Sequence, residues 1–225
     1  MNLSFHNRHQ RAFSLLELVV VLALISVVFS MLLLPVGRRN HSNAVSIKCS
    51  SNLKQIALSF KMFAADHNGN FPFAAPDSLA YTDDSQAWLH FMTLSNYLGS
   101  PKLLICPADI YSKSSASFFS SRTNGAPDTL TTRKNSAVSY FVGLDAKETN
   151  YDSWLVGDGQ VSDIGRKHNG PLLYANGYST LRWPDFIHAQ SPNVAFTDGS
   201  VGRGSNFLST ARWPSGTSNR LLLPQ

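Results

Sequence analysis

The sequence predicts an α+β fold in which a long N-terminal helix, its first half transmembrane, packs on a small antiparallel β-sheet. Two observations predict the helix. Residues 18–36 contain only Ser26 and Ser30 as polar side chains, and apolar residues then recur with helical spacing as far as Phe63. A third observation predicts the sheet, because short apolar runs separated by turn-forming dipeptides fill the C-terminal half. A chain of 225 residues accommodates this helix and one globular head.

The apolar segment, residues 13–36, is long enough to cross a bilayer core about 30 Å thick as a helix. A cleaved signal peptide is disfavoured, because its apolar core would be shorter and the nearest small-x-small pair, Ala44 and Ser46, lies far downstream. A plain membrane anchor is the second interpretation, but basic residues flank both ends and leave its orientation undecided. Neither interpretation explains Glu17, because a carboxylate in such a segment costs up to about 2.5 to 3.5 kcal/mol.

Composition excludes several classes of function. Charged residues make up 15% of the chain and the net charge is +5, which falls to +3 without residues 1–12. The remaining basic residues are scattered and form no basic stripe with interleaved aromatics, so no nucleic-acid partner is expected. We predict no enzyme and no catalytic residue, because the chain has no glycine-rich phosphate loop and no nucleophile or metal pattern.

The start of the apolar segment has a distinctive order of residues. A short basic leader, residues 1–12, precedes Phe13-Ser14-Leu15-Leu16-Glu17. This arrangement resembles the processing site of type IV prepilins and type II secretion pseudopilins. The resemblance implies cleavage between Ala12 and Phe13 by prepilin peptidase, followed by N-methylation of Phe13. Ala12 departs from the family pattern, which usually has glycine before the cut.

The same resemblance implies a role for Glu17 and a set of partners. Cleavage would leave a cationic amine on Phe13, and an anion nearby lowers the cost of burying both charges. In the family, the glutamate is thought to pair with the amine of a neighbouring subunit and so to set the register of a helical filament. The implied partners are other pilin or pseudopilin subunits, the inner-membrane assembly platform and the membrane. The implied location is the bacterial inner membrane, single-pass, with the head in the periplasm before assembly into the filament.

An amphipathic continuation of the helix is predicted over residues 37–68, with the pilin-like head over residues 69–225. The apolar positions are spaced by three or four residues, as on one face of a helix, and the opposite side carries polar residues including Asn52. Gly69 and Pro72 supply the stop. The apolar positions are Val45, Cys49, Leu53, Ile56, Phe60 and Phe63.

The two cysteines, Cys49 and Cys106, either pair in an oxidising compartment or remain buried thiols, and the sequence alone leaves both states open. Segments around both cysteines, including Asn68-Gly69 and Cys106-Pro107-Ala108-Asp109, resemble a pseudopilin-like group common in certain environmental bacteria. That resemblance favours the disulfide. The resemblance also includes a C-terminal motif without assigned chemistry, in which His188 is followed by nine residues and then by Asp198-Gly199.

The head is predicted to contain a short helix between residues 83 and 99, a polar loop over 112–121 and 129–136, and several strands. Asp198-Gly199 predicts a hairpin turn. His188 and Asp198 lack a third ligand at useful spacing, so we interpret both as structural, with His188 hydrogen-bonded to a nearby loop. No cofactor is expected. Calcium stays open, because some major pseudopilins bind it in C-terminal loops, and the available donors here are Asp152, Asp158, Asp163 and Asp198.

A six-residue segment occurs twice, ending in Trp183-Pro184 and Trp213-Pro214. The simpler interpretation is two similar strand ends in which the tryptophan packs against the head. The alternative is a membrane-anchored extracytoplasmic module that recognises polysaccharide through exposed Trp183 and Trp213. We favour a pseudopilin or minor pilin, assembled through its N-terminal helix.

Overall fold

The computed structural model describes residues 14–32, 38–81, 83, 85–109, 113–120, 128–164, 170–176, 180–204 and 219–225. The chain divides into two compact units, Met1–Asn40 and His41–Gln225. The first contains helix α1, and the second contains most of helix α2 and the whole head.

Helix α1 spans Leu15–Leu32 and begins at a side-chain cap. The backbone N–H of Glu17 donates to Ser14 Oγ at 3.2 Å, which satisfies one of the free donors of the first turn. The side chains described in this helix, those of residues 15–30, are all exposed, and most of them are apolar. In the described part of the chain, no helix combines the length and apolarity needed to cross a bilayer. Phe13 and residues 33–36 of the predicted span lie outside the described residues.

Helix α2 spans Arg38–Asp66, and its apolar face is the predicted one. Every predicted position from Cys49 to Phe63 is buried, and Val45 is half-buried at the edge. The prediction was wrong for Asn52, which is buried because its Nδ2 donates to the carbonyl of Ile105 at 3.2 Å. The helix stops where predicted, since Gly69 has φ +79° and its N–H donates to Ala64 O at 2.8 Å.

The head is built on a six-stranded antiparallel sheet. Its strands are β1 (Tyr140–Gly143), β2 (Trp154–Asp158), β4 (Leu172–Ala175), β6 (Asn193–Phe196), β7 (Val201–Arg203) and β8 (Asn219–Leu222). Their order across the sheet is β4-β8-β1-β2-β6-β7. A separate two-stranded ladder pairs β3 (Ser162–Asp163) with β5 (Leu181–Arg182). The head also contains the short helices α3 (Ala87–Thr93) and α4 (Leu130–Arg133).

Helix α2 packs on one face of this sheet. Leu53 and Phe60 share a buried cluster with Tyr140, Val142 and other residues of the central strands. The opposite face of the sheet has its own cluster, which contains Phe141, Trp154, Trp183 and Leu221. Strand β1 contributes side chains to both clusters, because successive side chains of a strand point to opposite faces of the sheet. The predicted α+β class, with an N-terminal helix on an antiparallel sheet, is confirmed.

Two parts of the head differ from prediction. Thr129–Ser136 was predicted as loop, yet Thr129 and Thr132 form a reciprocal capping box that starts α4. A 3-10 helix over Lys134–Ala137 follows directly. Strand β8, near the C-terminus, was not predicted, and it inserts between β4 and β1.

Candidate functional site

The C-terminal motif, in which His188 is followed by nine residues and then Asp198-Gly199, flanks strand β6 on both sides. His188 opens a 3-10 helix, His188–Gln190, that precedes the strand, and Asp198 lies in the turn that follows it. Asp198 Oδ1 accepts from the N–H of Ser200 at 2.7 Å, and Gly199 has φ +89°. Strands β6 and β7 pair across this turn, so the predicted hairpin is present.

His188 points into the head, where it meets the disulfide. Cys49, on α2, is bonded to Cys106, with their Cα atoms 5.2 Å apart. His188 Nε2 lies 3.2 Å from Cys106 Sγ and 3.6 Å from Asp158 Oδ2, at the end of β2. His188 thus lies against Cys106, in the loop that follows the 3-10 helix Pro101–Leu104, and against a carboxylate at the end of a strand. We call Cys49, Cys106, Asp158 and His188 the buried cluster, because each is at most 5% exposed.

Backbone and side-chain contacts fix the Asp158 carboxylate. Its Oδ2 accepts from the backbone N–H of Asn193 at 2.7 Å and from Asn193 Nδ2 at 3.2 Å. The carbonyl of Asp158 accepts from Trp183 Nε1 at 2.8 Å. Behind this carboxylate, Ser46 Oγ donates to Asn193 Oδ1 at 3.4 Å and so joins α2 to the network. The carboxylate therefore has a set orientation beside the disulfide.

Burial controls the protonation of the two titratable members. Removal from water raises the pKa of Asp158 to about 7, although the two hydrogen bonds from Asn193 oppose this shift. Removal from water lowers the pKa of His188 to about 4, and the positive charge of Arg203 adds to the effect. Between these values both groups favour their uncharged forms.

Two polar atoms of the buried cluster, Asp158 Oδ1 and His188 Nδ1, have no hydrogen-bond partner among the residues that the structure describes. His188 also has φ 51°, a left-handed conformation that costs a non-glycine residue of order 1 kcal/mol. The fold therefore holds an imidazole and a carboxylate against the disulfide at some cost to stability.

The buried cluster is also a potential set of metal ligands. One donor atom from each of its four residues lies within 4.8 Å of the other three. From the sequence, Asp158 was predicted only as one of four available oxygen donors for calcium. Asp163, another of those donors, is also buried, whereas Asp152 and Asp198 are exposed. Within the described ranges, the buried cluster is the only such group of three or more residues.

Trp183 does not form a surface platform. It is 2% exposed, packs in the cluster on the outer face of the sheet, and donates to Asp158. The polysaccharide interpretation was wrong for Trp183 because its ring is part of the core. Trp213 lies outside the described residues. Trp183 therefore cannot serve as one of the two exposed tryptophans that the polysaccharide hypothesis requires.

A second candidate site lies at the start of α1. Glu17 is exposed in the first turn, three residues after its cap Ser14, and Ala12 and Phe13 lie outside the described residues. The match to known families decides what this segment is. Residues 7–33 match the prokaryotic N-terminal methylation motif. This methylation motif covers the predicted cleavage position, Phe13 and Glu17. Neither a curated protein nor a solved structure matches the chain.

The methylation motif could be found in the sequence, whereas the buried cluster could not. The sequence suggests His188 together with Asp198, because those residues are close in the chain. The pairing of His188 with Asp158 joins residues 30 positions apart, and Cys49 is more distant still. One signal was available: Asp158 ends an otherwise apolar strand, Trp154-Leu155-Val156-Gly157-Asp158, where a carboxylate needs an explanation.

Proposed function

We propose that this chain is a pseudopilin or minor pilin, processed by prepilin peptidase before Phe13 and assembled into a type II secretion or type IV pilus-like filament. The observation that carries the proposal is the methylation motif at residues 7–33. This motif supports a type IV pilin-like or pseudopilin subunit. The machine, the peptidase and the inner-membrane location belong to the proposal.

Helix α1 supports the proposal by its surface. Apolar side chains cover it on every side, so it needs lipid or other apolar helices around it. Its hydroxyl groups require no outside partner, since Ser26 Oγ donates to Ala23 O at 2.8 Å and Ser30 Oγ donates to Val27 O at 2.7 Å. Among the described side chains of α1, Glu17 then carries the only charge. Such a surface favours the lipid and the neighbouring subunit helices that we propose surround this segment before and after assembly.

The first prediction concerns processing. Mass spectrometry of the protein isolated from its native membranes should find a chain that starts at Phe13 and carries one added methyl group on its amine. A strain without prepilin peptidase is the control and should retain residues 1–12. Retention of Met1 in the wild-type strain, or cleavage at another bond, would contradict the proposal.

The second prediction separates two roles for Glu17. Ser14 and Glu17 stand three residues apart, as in a capping box, so the carboxylate could serve only the start of the helix. Glutamine retains that capping ability but has no charge. If Glu17 pairs with the amine of Phe13 on a neighbouring subunit, Glu17→Gln should reduce incorporation into the filament by at least about a hundredfold. Loss of one partner of a buried ion pair costs about 3 to 5 kcal/mol.

Sedimentation of sheared filaments, with immunoblotting of the filament and membrane pools, measures this incorporation. Ser14→Ala is the matched control, because it removes the cap and keeps the charge. It should leave incorporation within a few-fold of wild type. Normal incorporation of Glu17→Gln, together with poor incorporation of Ser14→Ala, would assign Glu17 to capping instead.

A further inference from the structure

The buried cluster has a donor set suited to a metal once its disulfide is open. Two thiolates, one imidazole nitrogen and one carboxylate oxygen form a tetrahedral set that suits Zn²⁺. Sulfur and nitrogen donors disfavour calcium, which prefers six to eight oxygen ligands. The four residues come from α2, from the segment after the 3-10 helix Pro101–Leu104, from β2 and from the segment before β6. The folded head therefore brings the four together.

The distances already approach those of a zinc site. Zinc lies about 2.3 Å from sulfur and about 2.0 to 2.2 Å from nitrogen and oxygen, so neighbouring ligand atoms of a tetrahedron are about 3.3 to 3.8 Å apart. His188 Nε2 is 3.2 Å from Cys106 Sγ and 3.6 Å from Asp158 Oδ2. The nitrogen that would bind thus already faces both other kinds of donor.

The outer contacts also suit a metal. Ligating carboxylates in metal sites are held by further hydrogen bonds, and here Asn193 holds Asp158 Oδ2 with two. Among the described residues, none donates a hydrogen bond to the buried Asp158 Oδ1, so the carboxylate keeps acceptor capacity for a cation while those bonds to Oδ2 remain. An unpaired buried acceptor costs about 1 to 3 kcal/mol. A bound cation would satisfy it.

We propose that Cys49, Cys106, Asp158 and His188 bind one Zn²⁺ ion when the two cysteines are reduced, so that the head can be closed either by the disulfide or by the metal. A newly made chain carries thiols, and this form needs no reductant. Binding transfers the two thiol protons, together with any proton on the Asp158 carboxyl group, to solvent, and the thiolates, the imidazole and the carboxylate then hold the ion. The proposal does not depend on assembly of the chain into a filament.

The test uses the full-length chain in detergent, with and without reduction by a phosphine. The phosphine breaks the S–S bond and is oxidised to its oxide with oxygen from water, and the two protons of that water end on the sulfurs. Titration with Co²⁺ as a spectroscopic probe, followed by competition with Zn²⁺, should show one tetrahedral, thiolate-ligated site per reduced chain. The oxidised chain should show none. Circular dichroism of the reduced chain reports whether the head is folded before and after Zn²⁺ addition.

His188→Gln is the decisive variant, because it keeps both cysteines and can be compared in the oxidised state for correct folding. Its affinity for Zn²⁺ should fall at least about tenfold, since even the outer-sphere partners of metal ligands contribute tenfold or more. His67→Gln is the matched control, because His67 lies at the end of α2 beside Asp77. It should bind Zn²⁺ as wild type does.

Three results would each overturn the proposal. One is a reduced wild-type chain that binds no Zn²⁺, or that is unfolded and is not refolded by Zn²⁺. Another is equal affinity of His188→Gln and His67→Gln. The third is equal binding by the oxidised and reduced chains, which would place the metal on surface groups.

Discussion

Replacing Gly143 by alanine should unfold the head at temperatures where the wild type is stable. A Cβ atom at this position would lie 2.0 Å from the carbonyl oxygen of Trp154 on the neighbouring strand. Relief requires a shift of the backbone, because neither atom belongs to a flexible side chain. Strand β1 sits between β2 and β8 at the centre of the sheet, so a shift disturbs both ladders. We expect a loss of more than about 4 kcal/mol in the free energy of unfolding.

Chemical denaturation followed by circular dichroism measures this effect. Gly99→Ala is the matched control, because its Cβ would meet no atom within 4 Å. That control should stay within about 0.5 kcal/mol of wild type. Equal stability of the two variants would show that β1 and β2 do not approach as closely as described.

Removing the disulfide should have the next largest effect. Cys49 and Cys106 are 57 residues apart, and a closed loop of that length stabilises a protein by about 4 kcal/mol in the chain-entropy model. The double variant Cys49→Ala with Cys106→Ala should therefore lower the free energy of unfolding by about that amount. Urea denaturation of the oxidised wild type and the double variant makes the comparison.

Single variants test whether the bond itself is responsible. Cys106→Ala alone should cost nearly as much as the double variant, because either change removes the same covalent link and the effects are not additive. A double variant within about 1 kcal/mol of oxidised wild type would contradict this prediction. Addition of Zn²⁺ should stabilise neither variant, since each lacks at least one of the proposed ligands.

The buried face and the end of α2 were predicted well because their signals are local. The buried face of α2 follows from apolar residues three or four positions apart, and Gly69 ends the helix by its own conformational freedom. The turn at Asp198-Gly199 is likewise set by adjacent residues. The short helix α4 is also local, and its capping residues Thr129 and Thr132 were mistaken for a loop signal.

The sheet order could not be predicted in the same way. Strand β8 contains Asn219 and Arg220 beside Leu221 and Leu222, so its composition does not distinguish a central strand from a terminal tail. Its place between β4 and β1 depends on pairing with residues roughly 50 and 80 positions earlier. An ion pair with Asp145 also holds Arg220 there, since Arg220 Nε and Nη2 both donate to Asp145 Oδ1. Such partners become neighbours only when the whole head folds.

The sequence by itself determined the methylation motif, the apolar helix with its single carboxylate, and the face of α2 that is buried. Each of these features lies within one continuous segment, where the spacing of neighbouring residues fixes which side chains share a surface. Only the tertiary structure decided that Trp183 is core and that His188 meets Asp158 and the disulfide. The chain brings those groups together because burial of the two faces of one sheet stabilises the head. Residues that are distant in the chain become neighbours through this packing, and a local sequence pattern does not indicate which ones.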